Sequence, residues 1–332
     1  MGVSLPTVDV AIPAFDEELH IGRCLDAVAS QDYPADRVRI LVVDAGSRDA
    51  TLELVRARAA ADARIVPIES PQRLTTPQAL NLALEHAQGE LFARVDAHGW
   101  PLPGYLRRAV AVLMEEGPDV ASVGGLAEPV AETRFGRALS LAWRSSFGVG
   151  GSVYAHDGGR EDTTTVPWGM YRRAALEEVG GFDPAMLHGE DEELNWRLRE
   201  AGGRVVLDGS IRFAYVIRSS WGGAFRQYRN YGAARVRVLR KHRRFLRPHH
   251  LAPAAMVAAG TVTAALAPFS GAARRALVVE VAGYAAAAAL AARQAAREEP
   301  ALIPDVMAAY AALHLGYGTG MLVGASRPRD PA

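Results

Sequence analysis

The sequence predicts an α/β fold, in which a mostly parallel β-sheet is flanked by helices and followed by apolar C-terminal helices. Strand-like and helix-like segments alternate through residues 8–127, a rhythm typical of a parallel sheet that is covered on both faces. Three apolar segments then close the chain at residues 251–269, 276–292 and 301–325. Each approaches the roughly 20 residues that are needed to cross a bilayer.

The alternating segments predict a definite order of elements. Strands are expected at Val8–Ile12, Arg39–Val43, Arg64–Ile68, Leu91–Val95 and Val120–Leu126. Helices are expected at Glu17–Gln31, Asp49–Ala60, Pro77–Ala87 and Pro103–Met114. A glycine-rich loop at Gly148–Gly159 precedes a second half, made of the segment Val166–Tyr171, a helix at Glu190–Ala201 and a strand at Val205–Leu207. Because ligands of such sheets bind beyond the carboxyl ends of the strands, the residues that follow each strand are the candidates for chemistry.

Composition excludes several classes of protein. Lys and Arg together number 37, as do Asp and Glu, so the formal net charge is zero and no nucleic-acid partner is expected. Cys24 is the single cysteine, which rules out an intrachain disulfide or a cysteine-based zinc site. Its apolar neighbours predict a position in a helix that faces the core. No signal peptide opens the chain, so we expect the N-terminal domain in the cytoplasm.

The first predicted strand runs into Pro13, Ala14 and Phe15, which are followed by Asp16, Glu17 and Glu18. A strand that stops here presents free backbone groups and an aromatic ring, on which a nucleobase could stack. Pro13 and the acidic residues are equally good signals for the start of a helix. Taken alone, this segment favours the second interpretation.

The second predicted strand ends at Asp44, ahead of a tight Ala45-Gly46-Ser47 turn. A carboxylate at this point can accept hydrogen bonds from a base or a ribose. Asp49 has a simpler interpretation as the cap of the next helix. No such structural role accounts for Asp44, which we therefore interpret as a ligand-binding residue.

The fourth predicted strand is followed by Asp96 and His98. Where a strand gives way to a loop, both side chains can turn toward one ion, and a carboxylate with an imidazole suits Mn²⁺ better than Mg²⁺. Such an ion would act as a Lewis acid on a diphosphate. An Asp-x-His triplet is common by chance, but its position directly after a strand makes it a candidate metal site.

Four consecutive acids, Glu190–Glu193, open the predicted helix of the second half. Carboxylates at a helix start interact favourably with the helix dipole, and this accounts for Glu192 and Glu193, which are expected on the solvent side. We expect one of Glu190 and Asp191 to point into a cleft, where a displacement by a hydroxyl needs a single general base.

Basic and aromatic residues alternate in the segment Arg226–Gly232, just before the apolar C-terminal part. Such a surface could hold a diphosphate or stack a sugar ring; the alternative is a basic segment that lies on anionic lipid. Both can hold, with Gln227–Tyr231 in the site and Arg235–Arg247 on the membrane. Positive charge before a first span marks the cytoplasmic side. Two spans with an interfacial helix, three short spans, and core helices of a soluble domain all stay open.

Taken in this order over residues 6–245, these segments resemble family 2 glycosyltransferases of the GT-A fold, and most closely the succinoglycan-biosynthesis ExoA-like glycosyltransferases. Residues 12–18 are similar to the opening segment of that family, and residues 43–47 to its base-binding strand end. Residues 188–191 are similar to its Glu-Asp motif, and residues 226–232 to the ExoA-like Gln-Tyr-x-x-Tyr-Gly segment. Arg94–His98 is similar to the ExoA-like version of the family's metal motif; in most relatives of the wider family, Asp stands at the position of His98.

The resemblance implies a GT-A nucleotide-sugar-binding domain at residues 1–245, with a nucleotide-binding half at 1–100 and an acceptor half at 101–245, followed by membrane-associated helices at 246–332. It implies Asp191 as the catalytic base and a divalent metal, Mn²⁺ or Mg²⁺, at Asp96 and His98. The implied nucleotide-sugar-binding residues are Pro13, Ala14, Phe15, Glu17, Asp44, Asn81, Asp96 and Ala97. Trp168, Glu190, Gln227, Arg229 and Tyr231 are expected to bind the acceptor or the diphosphate.

The expected function follows from the same resemblance. An inverting transferase would move a hexose from a UDP-sugar to a hydroxyl of a lipid-linked glycan, in bacterial exopolysaccharide or cell-envelope glycan synthesis. The alternatives are polyprenyl phosphate as the acceptor and a sugar-nucleotide-binding scaffold without catalysis. Asn230-Tyr231 stands where processive synthases carry Arg-Trp, which argues against a polymerising synthase. We expect the protein at the cell membrane, with its catalytic domain in the cytoplasm.

Overall fold

A computed structural model describes residues 5–149, 159–242 and 248–326 of the chain. By their contacts these residues form two compact units, which are described separately: residues 5–128 with 159–216, and residues 129–149 with 217–242 and 248–326. The predicted functional boundary at residue 245 stays a prediction. The compact units divide the chain elsewhere, because the helix that precedes residue 245 packs on the C-terminal helices. Most of the glycine-rich segment lies outside the described residues.

The strands of the described chain are β1 (Val8–Ala14), β2 (Val38–Asp44), β3 (Ile65–Glu69), β4 (Leu91–Arg94), β5 (Gly99–Pro101), β6 (Val120–Val130), β7 (Arg160–Asp162), β8 (Met170–Arg172) and β9 (Arg204–Val216). The α-helices are α1 (Ile21–Ala29), α2 (Thr51–Ala61), α3 (Thr76–His86), α4 (Tyr105–Glu116), α5 (Arg134–Arg144), α6 (Ser146–Val149), α7 (Arg173–Glu178), α8 (Glu190–Glu200), α9 (Trp221–Lys241), α10 (Ala252–Leu266), α11 (Gly271–Ala295) and α12 (Ile303–Ser326).

Within the described residues, all nine strands join one sheet, with the order β3-β2-β1-β4-β8-β6-β9-β5 and β7 added beside β9. The α/β class is confirmed. The sheet is mixed: β1 to β4 are parallel, whereas β8 runs antiparallel to both β4 and β6. The parallel strands are connected by α1, α2 and α3, as parallel neighbours require. The three-residue strands β5 and β7 are too short to show a periodicity in the sequence.

Apolar side chains fill both faces of the sheet. Val10, Ile40 and Val42 belong to one buried layer together with Cys24 of α1, as the sequence predicts. Alternate positions of the same strands belong to a second layer that includes Leu80 of α3. Because successive side chains of a strand point to opposite faces, the near-continuous apolar runs of β1 and β2 match burial on both sides. This packing fixes the strand ends, and with them the loops that carry the polar candidates.

The second unit consists of α5, α6 and α9 to α12. Helices α9 and α12 approach closely at glycines: a Cβ atom at Gly232 would lie 2.1 Å from the carbonyl oxygen of Tyr317, and one at Gly320 would lie 2.0 Å from that of Arg229. The described segments Gly271–Ala295 and Pro300–Ser326 are long and apolar enough to cross a membrane. Of the most apolar 18 residues, 11% are buried in the first segment and 50% in the second. The second is more buried because α12 packs on its neighbours. Helix α10 is shorter.

Candidate active site

The carboxyl ends of β1, β2 and β4 lie at one edge of the sheet, since these strands are parallel. Ala14, at the end of β1, is the register partner of Asp44, at the end of β2. Asp96 follows β4 on the other side of β1. The structure therefore brings the candidates from the first, second and fourth predicted strands to the same edge, as the sequence indicates.

Asp44 is buried, and its two carboxylate oxygens differ. Oδ2 accepts hydrogen bonds from the backbone N–H groups of Gly46, at 3.3 Å, and Ser47, at 3.2 Å. Gly46 has a φ of 84°, a conformation that glycine adopts without strain. Oδ1 is buried without a hydrogen-bond partner among the described residues. Since buried acceptors in native proteins are nearly always paired, Oδ1 is available to accept a hydrogen bond from a ligand.

The loop after β1 is tied to the loop after β2 by side-chain bonds. The N–H of Glu17 donates to Oγ1 of Thr51 at 2.8 Å, and the N–H of Glu18 donates to Oδ2 of Asp49 at 3.0 Å. Asp49 also accepts a bond from the N–H of Thr51, but the N-cap residue of α2 is Ala50, so the predicted position of Asp49 as the cap is wrong by one residue. These bonds explain why α1 begins at Ile21 and not at Glu17, because they hold Glu17 and Glu18 in the loop.

Phe15 lies half-buried at this edge, with the guanidinium carbon of Arg73 4.3 Å from the centre of its ring. An arginine that stacks on an aromatic face makes a favourable cation–π contact. The sequence reasoning missed Arg73, although the signal was present: it lies in the loop after the third strand, where the rule of strand ends would have placed a candidate.

Arg94, the last residue of β4, lies at the centre of a buried cluster of charges. Its Nε donates to Oδ1 of Asp96 at 2.8 Å, and its NH1 lies 2.9 Å from Oε1 of Glu190 and also pairs with Asp191. We call Arg94, Asp96, Glu190 and Asp191 the Arg94 cluster. It joins the predicted metal carboxylate to the predicted base. Glu190 and Asp191 both face Arg94, where the sequence led us to expect one of them in a cleft.

Three carboxylates face one guanidinium in this cluster, so the charges do not balance. Burial raises the pKa of Asp191; Arg94 opposes this and the neighbouring carboxylates add to it, which brings that pKa to about 7. Burial also acts to raise the pKa of Asp96, but Arg94 and His98 outweigh it and the pKa lies below its usual range. A carboxyl with a pKa near neutrality, beside one that stays ionised, is typical of an acid–base site.

The predicted metal pair has separate partners. Asp96 bonds to Arg94, while Nδ1 of His98 lies 3.2 Å from Oε1 of Glu17, and the His98 ring packs edge-on against Tyr215. Among the described residues, no three His, Cys, Asp or Glu side chains gather where they could hold an ion.

Trp168 is buried and hydrogen-bonds to Asp96, so it does not lie on the surface. It is 3% exposed, its ring stacks on Phe213 at 4.3 Å, and its side chain hydrogen-bonds to Asp96, which contributes to the lowered pKa of that carboxyl. Its φ of 47° is a strained conformation for a residue other than glycine, of the kind that clusters at functional sites. The predicted contact with an acceptor stays untested; the geometry gives Trp168 the role of a support for Asp96.

Glu193 corrects one expectation. The sequence places it on the solvent side of α8, but it is fully buried and pairs with Arg197 at 2.7 Å. A partner one helical turn away compensates the buried charge. Only Glu192 and Asp191 of the four acids keep partial exposure.

The remaining candidates have varied environments. Pro13 is partly exposed, while the side chains of Ala14 and Ala97 are buried, so the alanines could reach a ligand only through their backbone. Asn81 of α3 bonds to the backbone of Phe182. Their predicted contacts with a nucleotide sugar stay predictions.

Three acceptor or diphosphate candidates belong to α9 of the second unit. Gln227 is buried and its Nε2 donates to the hydroxyl of Tyr231 at 3.1 Å. Arg229 and Tyr231 are exposed. Within this unit, the neighbouring Tyr228 packs inward, where it accepts a hydrogen bond from the indole of Trp143. The segment Arg226–Gly232 therefore combines buried and exposed aromatic residues on one helix.

Comparison with known proteins assigns this arrangement to a family. The model of the family "Glycosyl transferase family 2" matches residues 9–180, more than half of the chain. The "Succinoglycan biosynthesis protein ExoA" of Rhizobium meliloti (strain 1021) is 30% identical over 236 residues, which cover 70% of each chain. A Methanococcus voltae protein named "Dolichyl N-acetyl-alpha-D-glucosaminyl phosphate 3-beta-D-2,3-diacetamido-2,3-dideoxy-beta-D-glucuronosyltransferase" is 28% identical over 240 residues, 70% of this chain and 74% of its own.

A solved structure is similar over nearly the whole chain. The mannosyltransferase PcManGT from Pyrobaculum calidifontis, in complex with GDP-Man and Mn²⁺, matches with a TM-score of 0.64 and 25% identity, and the match covers 93% of this chain and 87% of that one. The family match, the named relatives and this fold agree with the geometry of the sheet edge. The chain therefore belongs to glycosyl transferase family 2 and is a glycosyltransferase with the GT-A fold.

Proposed function

We propose that the protein is an inverting glycosyltransferase that moves a hexose from a UDP-sugar to a hydroxyl of a lipid-linked glycan, in bacterial exopolysaccharide or cell-envelope glycan synthesis. The observation that supports it most directly is the Arg94 cluster, in which Arg94 contacts both Asp96 and Asp191. A carboxylate for the leaving diphosphate and a carboxylate for the attacking hydroxyl are thereby held within the reach of one guanidinium.

Asp191 is the proposed general base. It accepts the proton of the acceptor hydroxyl, and the oxygen attacks the anomeric carbon from the face opposite the diphosphate. The new carbon–oxygen bond forms as the bond to the diphosphate breaks, so the configuration inverts and the nucleoside diphosphate leaves. A base with a pKa near the working pH suits this proton transfer, and the pKa of Asp191 of about 7 meets that requirement.

Asp44 and Phe15 are the proposed binding residues for the nucleobase of the donor. The free Oδ1 of Asp44 can accept the N–H of a uracil, whose ring would stack near Phe15 and Arg73. Guanine also carries N–H donors, and the mannosyltransferase from Pyrobaculum calidifontis is described with GDP-Man. UDP is thus our proposal and GDP the competing outcome of the test below.

The residues present fit a divalent cation. The Arg94 cluster has more negative than positive charge, and carboxylate with imidazole is a donor set that Mn²⁺ accepts. Asp96 and His98 would hold the ion; when bound, it would supply positive charge to the departing diphosphate.

Membrane attachment is proposed for α11 and α12. Helix α11 exposes large apolar side chains, among them Val278, Val279 and Leu290, and arginines lie near both of its ends. The basic residues that begin with Arg235 precede these helices in the sequence, which by the charge rule for spans favours a cytoplasmic catalytic unit. A relative whose name includes a dolichyl phosphate supports a lipid-linked acceptor.

The donor and the acceptor can be tested together. Membranes from a host that expresses the protein would be incubated with labelled UDP-glucose, UDP-galactose, UDP-N-acetylglucosamine or GDP-mannose, with Mn²⁺ or with EDTA. We expect label from one UDP-sugar in a lipid-linked glycan, and none with EDTA. Label on polyprenyl monophosphate would identify the alternative acceptor. Label from GDP-mannose alone would overturn the UDP assignment. Nucleotide binding without any sugar transfer would favour a scaffold without catalysis.

The pH dependence of kcat/KM for the donor tests the base. Because this parameter reports the free enzyme, it should fall below a pH of about 7, where Asp191 becomes protonated, with a slope of about tenfold per unit. The negative charge of Glu190 contributes to the raised pKa, so Glu190→Gln should move this acid limb to lower pH. A limb that does not move, or that moves upward, would contradict the assignment of Asp191 as the titrating base.

A further inference from the structure

Asn81 is bound to the backbone of a residue that lies 101 positions further along the chain. Its Nδ2 donates to the carbonyl oxygen of Phe182 at 2.7 Å, and its Oδ1 accepts from the N–H of Phe182 at 2.8 Å. The amide thus pairs with Phe182 as a neighbouring strand would. Gly181 has a φ of 70°, and a Cβ atom there would lie 2.7 Å from Oδ1 of Asn81, so the turn is shaped to admit this side chain.

Arg197 of α8 holds the same turn from the other side. Its guanidinium donates to the carbonyl oxygens of Val179, at 2.6 Å, and Gly181, at 2.7 Å. It also pairs with the fully buried Glu193, which fixes it against its own helix. Two side chains from different helices therefore satisfy four backbone groups of residues 179–182. We call Asn81, Arg197 and this turn the α3–α8 clamp.

The clamp lies directly ahead of the proposed base. Residues 183–188 connect Phe182 to Gly189, which has a φ of 78° and directly precedes the first residues of α8, Glu190 and Asp191. The Phe182 ring is buried and packs edge-on against Tyr171, in the same apolar layer as Leu194 of α8. Hydrogen bonds thus fix the conformation of residues 179–182, and packing fixes how deeply the first turn of α8 is buried.

We propose that Asn81 is a positioning residue, which acts through Phe182 and together with Arg197 to hold Asp191 against Arg94. The inference rests on the proposed function, because it takes Asp191 as the base. A displacement of about 1 Å in a reacting group can cost about 10²-fold in rate, so a clamp remote from the substrate is sufficient to matter. The competing role for Asn81 is the direct contact with a nucleotide sugar that the family resemblance implies.

Asn81→Ala tests the clamp, with Glu85→Ala as its matched control on an exposed position of the same helix. We expect Asn81→Ala to lower kcat by about 10- to 100-fold, while the dissociation constants of UDP and GDP, measured by calorimetry, stay at the control values. Hydrogen exchange followed by mass spectrometry should be faster in the peptide that contains Phe182, because its N–H loses the Oδ1 acceptor.

Two results would overturn the proposal. Weaker binding of the nucleotide with unchanged kcat and exchange would make Asn81 a direct ligand. Wild-type kcat and exchange would mean that the clamp has no effect on the base. Should Asn81→Ala fail to accumulate, Glu193→Gln/Arg197→Met removes the other half of the clamp without leaving a buried charge unpaired. It should show the same loss of kcat with unchanged nucleotide binding, and a wild-type kcat would again reject the clamp.

Failure of this inference is distinguishable from failure of the proposed function. If Asp191→Asn keeps full turnover, Asp191 is not the base and the proposed mechanism fails, whatever Asn81 does. If Asp191→Asn is inactive and Asn81→Ala behaves as Glu85→Ala does, the mechanism stands and the positioning role is rejected.

Discussion

Asp191→Asn should lower kcat for sugar transfer by about 10²- to 10⁴-fold, the range that a positioned general base contributes. Asparagine keeps the shape of the side chain and a partner for Arg94, but cannot accept the proton of the acceptor hydroxyl. Binding of the nucleotide should be retained, because Asp44 and Phe15 belong to different loops. The measurement is transfer of label from the active donor to the acceptor lipid, together with calorimetric binding of the nucleoside diphosphate.

Glu192→Gln is the control for this change. It makes the same replacement of a carboxylate by an amide in the same first turn of α8, outside the Arg94 cluster. Transfer should therefore be largely retained. If both variants lose kcat to a similar degree, the negative charge at the start of α8 is required and not a general base. If Asp191→Asn transfers sugar at the wild-type rate, the mechanism is rejected.

Arg94→Met should lower the free energy of unfolding by about 3–5 kcal/mol, the cost of removing one partner from a buried ion pair. Three carboxylates, of Asp96, Glu190 and Asp191, would then face each other without a cation. Transfer should be lost as well, because the protons that these carboxyls take up to reduce their repulsion would neutralise the base. Arg94→Lys keeps the positive charge but lacks the forked geometry of the guanidinium, so it should lose less stability and less transfer activity than Arg94→Met.

Urea unfolding of the purified, detergent-solubilised protein measures the effect. Arg107→Met removes the arginine of an exposed pair with Asp32 and should barely change the unfolding midpoint, since exposed ion pairs contribute little. The double variant Arg94→Met/Glu190→Gln should regain part of the lost stability, because it removes one of the unpaired charges. Equal stability of Arg94→Met and Arg107→Met would mean that the Arg94 cluster does not form in solution.

Local patterns in the sequence were enough to predict the framework of the catalytic unit. The runs of β1, β2 and β4 have a period and length that specify buried strands, and their parallel alignment then follows from the helices between them. Asp44 and Asp96 were found for this reason: a parallel sheet carries its ligands at the carboxyl ends of its strands. The start of α8 was equally visible, because a glycine followed by acids is a local signal.

The antiparallel half of the sheet was less visible. Strand β8 has three residues and pairs with β4 and β6, and β9 continues through Asp208 and Ser210, whose polar side chains interrupt an apolar pattern. A strand of this kind is stabilised by its neighbours and not by its own composition, since strand preference depends strongly on context.

The sequence by itself determined that the parallel strands β1 to β4 form, which polar residues follow them and that a carboxylate opens α8, because each of these depends on residues within a few positions of one another. Tertiary structure alone decided that Arg94 contacts Asp191, 97 residues away, that Asn81 holds Phe182, and that Glu193 turns inward to Arg197 with the turn beside it. Contacts of this range leave no periodic trace along the chain. They arise only when burial forces each charged or polar group to find a partner.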